Sequence, residues 1–410
     1  MAVILACYNR DSLNELLVMR MNNPKVYLDY AATTPVDSRV LEAMLPYFKD
    51  DFGNPSSVHT FGQRAEAALE TSRESVAQVL NCRPDEIIFT SCGSESDNLA
   101  VRGAAMEARR TRQANHILIS PVEHHAVSRT AQQLAVLQDF EVELLPVDSF
   151  GMVYPESVAE RIRPDTALVS VMYANNEIGT INPIAEIGEV CHSAGIPFHT
   201  DAVQAAAYLP INVNSLSVDL LSIGAHKFYG PKGVGALYIR KGVPILPVQT
   251  GGSQEFGLRA GTHNIPYIVG LAKALTLAQE ERDQRVGSIL PLRDRLIGQI
   301  LEEIPGSQLS GHPTLRLPNH ASFVFLGADG NLLLTYLDIA GFACSSGSAC
   351  KTGNPEPSDV LLALGLTPEW ALGSLRVTLG HATSPRDIDA FLEVLPSLIE
   401  RARQISFSSS

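Results

Sequence analysis

This 410-residue sequence predicts an α/β fold, a mainly parallel sheet between layers of helices, followed by a smaller C-terminal α+β domain. Three observations carry the prediction. Short apolar, β-rich runs alternate with amphipathic stretches through the first part of the chain, as strand–helix crossover units require. The alternation stops near Gly251 and gives way to long helical periodicity and then a mixed region. At about 150 residues per domain, the length suits two or three domains.

The first 22 residues stand apart from this pattern and read as an extension. Val36, Val40, Met44 and Phe48 then recur every four residues behind Pro35, which predicts a helix with proline in its first turn. Ala65, Leu69, Ser72, Val76 and Leu80 mark a second helix. Strands are expected over Glu86–Phe89, His116–Ser120, Glu141–Leu145, Ala167–Met172, Pro197–Thr200, Leu220–Ile223 and Gly235–Ile239. Between them lie helices such as Leu99–Arg109 and the segment carrying Ile184, Ile187, Cys191 and Ala194. Ile268, Leu271, Leu275 and Ala278 begin a long helical stretch that Pro291 is expected to kink. Its polar part, Glu280–Arg285, reads as a surface connector. Ile388, Phe391, Leu395 and Leu398 define a last helix, and Ser408–Ser410 a frayed tail. The expected division is an extension over 1–22, a large domain over 23–275 and a small domain over 276–410, with the N-terminal arm packing on the latter.

Composition narrows the function. Hydrophobic residues make up 45% and charged residues 18%, against about 25% charged in an average globular chain. The net charge of −13 argues against broad binding to nucleic acid or anionic membranes. No apolar run reaches the roughly 18 residues of a membrane span. Ala2–Tyr8 is apolar, but Asn9–Ser12 breaks it and no basic segment precedes it, so a signal peptide is not expected. The six cysteines form no CxxC pair and read as free thiols in a reducing compartment, which predicts the cytoplasm.

Several residues carry chemistry. Lysine is scarce, seven against 24 arginines, and Lys227 falls just past a predicted strand and before the glycine-rich Gly230–Gly235. Ligands gather at such strand ends, and a partly buried lysine there can act as a Schiff-base nucleophile; the plainer reading is a loop lysine. Gly93 and Ser94 sit where a strand runs toward a helix, a place for a phosphate, although Ser and Asp also cap ordinary helices. No GxGxxG and no Walker lysine are present, which disfavours a dinucleotide or ATP site.

Asp201 closes a strand and can pair with a cationic ring nitrogen, or merely cap a helix. The adjacent His124 and His125 suggest a metal or an aromatic stack. No HExxH or distant Cys/His set supports a metal, so stacking or acid–base work by one histidine is the better functional reading. Asn175 and Asn176 end another strand, where amides usually form turns. Cys344 and Cys350 flank a small-residue segment, and Lys351 beside Cys350 favours the reactive thiolate; their C-x5-C spacing alternatively signals a disulfide or one edge of a metal site, although no further cysteines nearby support a metal. Singly, each signal has an ordinary explanation. Together, a strand-end lysine, a phosphate cup, an acid for a ring nitrogen and a stacking histidine fit pyridoxal 5′-phosphate.

The chain also resembles the cysteine desulfurases, in the branch serving nitrogenase maturation and iron–sulfur cluster assembly. The resemblance rests on YLDYAATTP (Tyr27–Pro35), FGNPSS (Phe52–Ser57), Thr90–Asn98, Glu123-His124, ANNEIG (Ala174–Gly179), HTDAVQ (His199–Gln204), AHKFYGPKG (Ala225–Gly233), RAGT (Arg259–Thr262) and SSGSAC (Ser345–Cys350). These run in order from about Val26 to Phe391, and the SSGSAC segment is the most specific piece. The resemblance implies a fold-type I homodimer in which Lys227 holds pyridoxal phosphate. It implies that Gly93, Ser94 and His226 bind the phosphate, with Thr262 reaching over from the other subunit. Asp201 would pair with the ring nitrogen, Gln204 with the ring oxygen, and His124 would stack on the ring and act as acid–base. Asn176 and Arg376 would hold the carboxylate of L-cysteine, and Cys350 would take its sulfur as a persulfide for an iron–sulfur scaffold or other acceptor protein.

Two departures stand out. Gly224 replaces a serine that relatives usually carry three residues before the lysine, and Ser94 replaces a common threonine. Selenocysteine lyase-like activity is the alternative within enzymes, and a non-catalytic docking protein the alternative outside them. Retention of Lys227, His124, Asp201, Arg376 and Cys350 argues against docking alone. A NAD-dependent dehydrogenase is remote without GxGxxG.

Overall fold

The computed structural model describes residues 26–347 and 356–408. Seven strands form the main sheet: β2 (Ile87–Thr90), β3 (His116–Ile119), β4 (Glu141–Leu144), β5 (Thr166–Ser170), β6 (Phe198–Asp201), β7 (Leu220–Gly224) and β8 (Gly235–Ile239). Their spatial order is β2-β8-β7-β6-β5-β3-β4. All neighbours are parallel except β8, which runs antiparallel to β2 and β7. Every strand expected from sequence is present, with ends shifted by a residue or two. β1 (Val26–Tyr27) pairs in parallel with β11 (Phe342–Ala343), whereas β9 (Ser307–Leu309), β10 (His320–Phe325) and β12 (Ser374–Thr378) form a separate antiparallel sheet.

Most of the main strands are rich in apolar residues because both faces are covered; β6 is buried yet largely polar, and the edge strand β4 is partly exposed. Ile87, Phe89, Leu118, Val169, Leu221 and Tyr238 join one buried cluster, and the intervening Ile88, Ile117, Leu168, Leu220 and Leu237 join another. This alternation is the two-residue period of a strand sorted into two cores. The helices Thr60–Leu80 and Ile265–Glu280 pack into the first cluster, and Gly93–Arg112 and His125–Gln138 into the second.

Three expectations need correction. The four-residue repeat after Pro35 makes two short helices, Ser38–Met44 and Pro46–Lys49, because Pro46 starts a new turn; only Val40 and Met44 of the repeat are buried, while Val36 and Phe48 are exposed. The long helical stretch is not one helix but divides at Glu281, and Pro291 lies inside the second, Arg282–Glu303. Nor is Glu280–Arg285 a purely surface connector: Arg285 is buried, its guanidinium 4.8 Å from the centre of the Tyr229 ring.

Candidate active site

The site gathers beyond the carboxyl ends of the parallel strands, where loops from separate crossover units converge. β7 leads into His226 and Lys227, β6 ends on Asp201, β5 leads to Met172 and Asn176, β3 leads to His124, and β2 leads to Gly93 and Ser94. Together with Ala31, Ala32, Cys92, Asp97, Val203, Gln204 and Arg376, these residues line one cavity of about 240 Å³. Nine residues singled out from sequence therefore share a single space: Lys227, Gly93, Ser94, His124, Asn176, Asp201, Gln204, His226 and Arg376. Thr262 is exposed and does not line it. Cys350 lies outside the described residues.

Lys227 is half-buried, and its Nζ donates to the carbonyls of Ala31 (2.5 Å) and Ala32 (2.8 Å). Burial, helped by the Arg376 charge, brings its pKa down to about 8, against the opposing pull of Asp201 and Asp29. His226 is held to about 4, chiefly by burial. Its Nδ1 lies 3.1 Å from the Thr33 hydroxyl.

The helix after β2 begins at Gly93, six residues before the expected Leu99. Its first-turn N–H groups thus open into the cavity, and an anion there meets the positive end of the helix dipole. A Cβ on Gly93 would come within 2.6 Å of Val203 Cγ2, so glycine lets this turn approach the β6 loop without displacing that side chain. His124 caps the helix His125–Gln138, its Nδ1 accepting from the Ala126 N–H at 3.1 Å. That bond leaves Nε2 for other partners.

Beneath the cavity lies an acidic floor. Asp201 is buried and accepts from the Val203 N–H at 2.8 Å. Asp97, buried beside it, has Oδ1 without a hydrogen-bond partner among the described residues. Glu123 accepts from the Met172 N–H at 2.6 Å, and its other carboxyl oxygen is likewise unpartnered there. Burial first, and then mutual repulsion, raises the pKa of Asp97 and Glu123; burial also raises that of Asp201. Atoms of Asp97, His124 and Asp201 lie within 4.8 Å of one another. A buried carboxylate facing the cavity is what a protonated ring nitrogen needs, and the glycine cradle at the helix start is what a phosphate needs. Pyridoxal phosphate fits these residues.

At the mouth, Arg376 donates through Nη1 to the Asn176 carbonyl (3.0 Å) and through Nη2 to Asp29 Oδ1 (2.9 Å). Asp29, Asp97 and Glu177 were not selected from sequence. All three lie inside the quoted motifs, but none of those motifs shows by itself which side chain turns inward.

Comparisons with known proteins agree with this geometry. The Aminotransferase class-V family matches residues 26–391. Cysteine desulfurase IscS of Methanosarcina thermophila is 49% identical over 384 residues, 94% of each chain. Among solved structures, a NifS-like protein has a TM-score of 0.85 at 37% identity, covering 92% of this chain and 100% of its own. A structure described as SspA in complex with cysteine has a TM-score of 0.76 at 36% identity, covering 86% of this chain and 98% of its own. With its family match spanning most of the chain and a relative this similar, the chain belongs to the class-V aminotransferase family, among its cysteine desulfurases.

Proposed function

We propose that the protein is a pyridoxal-phosphate-dependent cysteine desulfurase that converts L-cysteine to L-alanine, leaves a persulfide on Cys350 and supplies that sulfur for iron–sulfur cluster assembly. The observation that carries this reading is the convergence of Lys227, Asp201, His124, Asn176 and Arg376 on one cavity. A relative described as bound to cysteine supports the substrate.

When bound, pyridoxal phosphate supplies an electron sink that makes the Cα–H bond of an attached amino acid acidic. Lys227 would hold the cofactor and, once displaced by the substrate amine, take the Cα proton. Its pKa near 8 keeps a neutral amine accessible close to neutral pH. The amides at Gly93 and Ser94, with His226, would hold the phosphate. Asp201 would keep a proton on the ring nitrogen, and Gln204, whose Nε2 donates to the Ala31 carbonyl at 2.9 Å, would face the ring oxygen. Arg376 and Asn176 would orient the substrate carboxylate. His124, with Nδ1 engaged by the backbone, would exchange a proton through Nε2 near the substrate sulfur.

The Cys350 thiolate then attacks that sulfur. The S–S bond forms, the C–S bond breaks with its electron pair passing to carbon, and carbon takes a proton. Thiol plus cysteine thus becomes persulfide plus alanine, the two electrons given up by sulfur reducing the carbon.

A homodimer fits the exposed apolar side chains of the N-terminal region, which include Phe52 (65% exposed), Val58 (91%) and Phe61 (49%). Such a dimer would also give exposed Thr262 a partner's phosphate to reach. We assign residues 23–275 to a large domain and 276–410 to a small one, with the arm at β1 joined to β11. Among the described residues Cys82, Cys92, Cys191 and Cys344 form no disulfide, which supports a reducing, cytoplasmic setting. Among the described residues no helix is long and apolar enough to cross a membrane.

The test is to supply L-cysteine and a reductant to the purified holoenzyme and to Cys350→Ala, and to measure sulfide and alanine. Equimolar products from the wild type, lost in the variant while cofactor absorbance persists, are expected. Equal release by both proteins would remove Cys350 as the acceptor.

A further inference from the structure

Asp29 belongs to the first quoted motif, yet the reaction outlined above gives it no task. It follows β1 at a point where three remote segments meet. The N–H of Leu28 donates to the Ala343 carbonyl (2.9 Å), and that of Thr378 to the Leu28 carbonyl (2.8 Å). Ser345 and Arg376 exchange backbone hydrogen bonds, Arg376 N to Ser345 O at 2.7 Å and Ser345 N to Arg376 O at 3.3 Å. Into this junction Asp29 extends one carboxylate with both oxygens used. Oδ1 accepts from Arg376 Nη2 at 2.9 Å, and Oδ2 accepts from the Ser345 hydroxyl at 2.8 Å.

The pair is shielded from solvent, with side chains 9% (Arg376) and 15% (Asp29) exposed. A buried guanidinium needs both a counter-charge and a fixed plane. With Nη1 on the Asn176 carbonyl and Nη2 on Asp29, the plane is held from two sides. Arg376 Nε is buried without a partner among the described residues, and the side chain lines the cavity. Ser345, on the other arm of Asp29, stands five residues before Cys350 in the sequence.

We propose that Asp29 is a positioning residue that sets the register between substrate and sulfur acceptor, its single carboxylate holding both the arginine for the substrate carboxylate and the serine at the base of the Cys350 segment. This rests on the roles given to Arg376 and Cys350 under the proposed function. Only a carboxylate does both tasks, because it accepts at two oxygens. Asparagine carries no counter-charge for Arg376 and can meet Ser345 only with that bond reversed, its amide donating to the hydroxyl, so both arms are weakened.

The experiment uses the full-length holoenzyme as wild type, Asp29→Asn, Ser345→Ala and Cys350→Ala. Two quantities are followed after mixing with L-cysteine: the half-saturating concentration of the cofactor absorbance change, which reports binding, and the single-turnover rate of persulfide formation by mass spectrometry. Asp29→Asn is expected to raise half-saturation about tenfold and to slow persulfide formation at saturating cysteine about tenfold. Ser345→Ala is expected to leave half-saturation within about twofold and to slow persulfide formation several-fold.

Ser345→Ala removes one hydroxyl and keeps the backbone bridge, so it remains informative if Asp29→Asn binds cofactor poorly. Wild-type persulfide rates in Ser345→Ala, or in Asp29→Asn once saturated, overturn the proposal. If Cys350→Ala still yields sulfide and alanine at the wild-type rate, it is the assignment of Cys350 that fails instead.

Discussion

Gly224 sits against the phosphate cup. Its backbone is ordinary extended chain, so nothing in its conformation demands glycine. A Cβ there would lie 3.3 Å from the Gly93 nitrogen and 3.6 Å from Val203 Cγ1, contacts that a shift of a few tenths of an ångström relieves. A serine hydroxyl at this position would stand beside the same helix terminus proposed to receive the phosphate. One charge-assisted hydrogen bond is worth roughly 1.5–3 kcal/mol, so Gly224→Ser should retain cofactor at least about tenfold more tightly. Cofactor lost on dialysis, followed by absorbance, checks this. Unchanged or faster loss would mean that crowding of Gly93 outweighs the added bond. The same local view explains the acidic floor: Asp97 and Glu123 have raised pKa values because burial strips their water while neighbouring carboxyls add charge.

Loops and strand ends carry the next level of organisation. Glu177 follows β5 and accepts the Ser358 hydroxyl at 2.5 Å, while a Cβ on Gly347 would lie 2.8 Å from the same oxygen. One carboxyl therefore stands between the two flanks, Gly347 and Ser358, that bracket Cys350 in the sequence. Burial lifts its pKa from 4.5 to about 7, against the lowering effects of Ser358 and Arg376. A carboxyl whose pKa is raised by folding favours the native state fully below 4.5, and that advantage is lost as pH climbs through about 7. Glutamine has no such loss. The melting temperature of Glu177→Gln relative to wild type should therefore rise between pH 5 and pH 8. Parallel thermal scans at both pH values test this, and a constant difference would show that Glu177 is ionised throughout.

For the whole molecule, the exposed apolar side chains of the N-terminal region are the clearest unsatisfied feature. Phe52 and Phe61 rest against each other with ring centres 5.6 Å apart, and Phe48 meets Tyr267 at 6.2 Å, yet all three phenylalanines remain about half exposed or more. A net charge of −13 keeps copies of the chain apart at long range, so association must come from short-range burial of such surface. The wild type should sediment as a dimer at micromolar concentration, and Val58→Asp should shift it toward monomer. A dimer that survives this change unaltered would place the interface elsewhere. If Thr262 acts across the dimer, the monomeric variant should also release its cofactor faster.

The sequence by itself determined the seven main strands, several of the helices packed on them, and from strand-end chemistry Lys227, Gly93, Ser94, Asp201, His124 and Asn176 of the cavity lining; Gln204, His226 and Arg376 came only from the family resemblance. Strands buried on both faces are mostly apolar, and loops that bind a phosphate or a ring nitrogen use glycine, hydroxyl and carboxyl groups near a strand end. Both constraints are local, so both leave a readable trace. Tertiary structure alone decided the start of a helix at Gly93, the helix break at Glu281 and the burial of Arg285 over Tyr229. It alone joined Asp29 to Arg376, 347 residues away, and to Ser345, 316 residues away. Such contacts depend on where two chain segments come to rest in space, and no periodicity within either segment records the other.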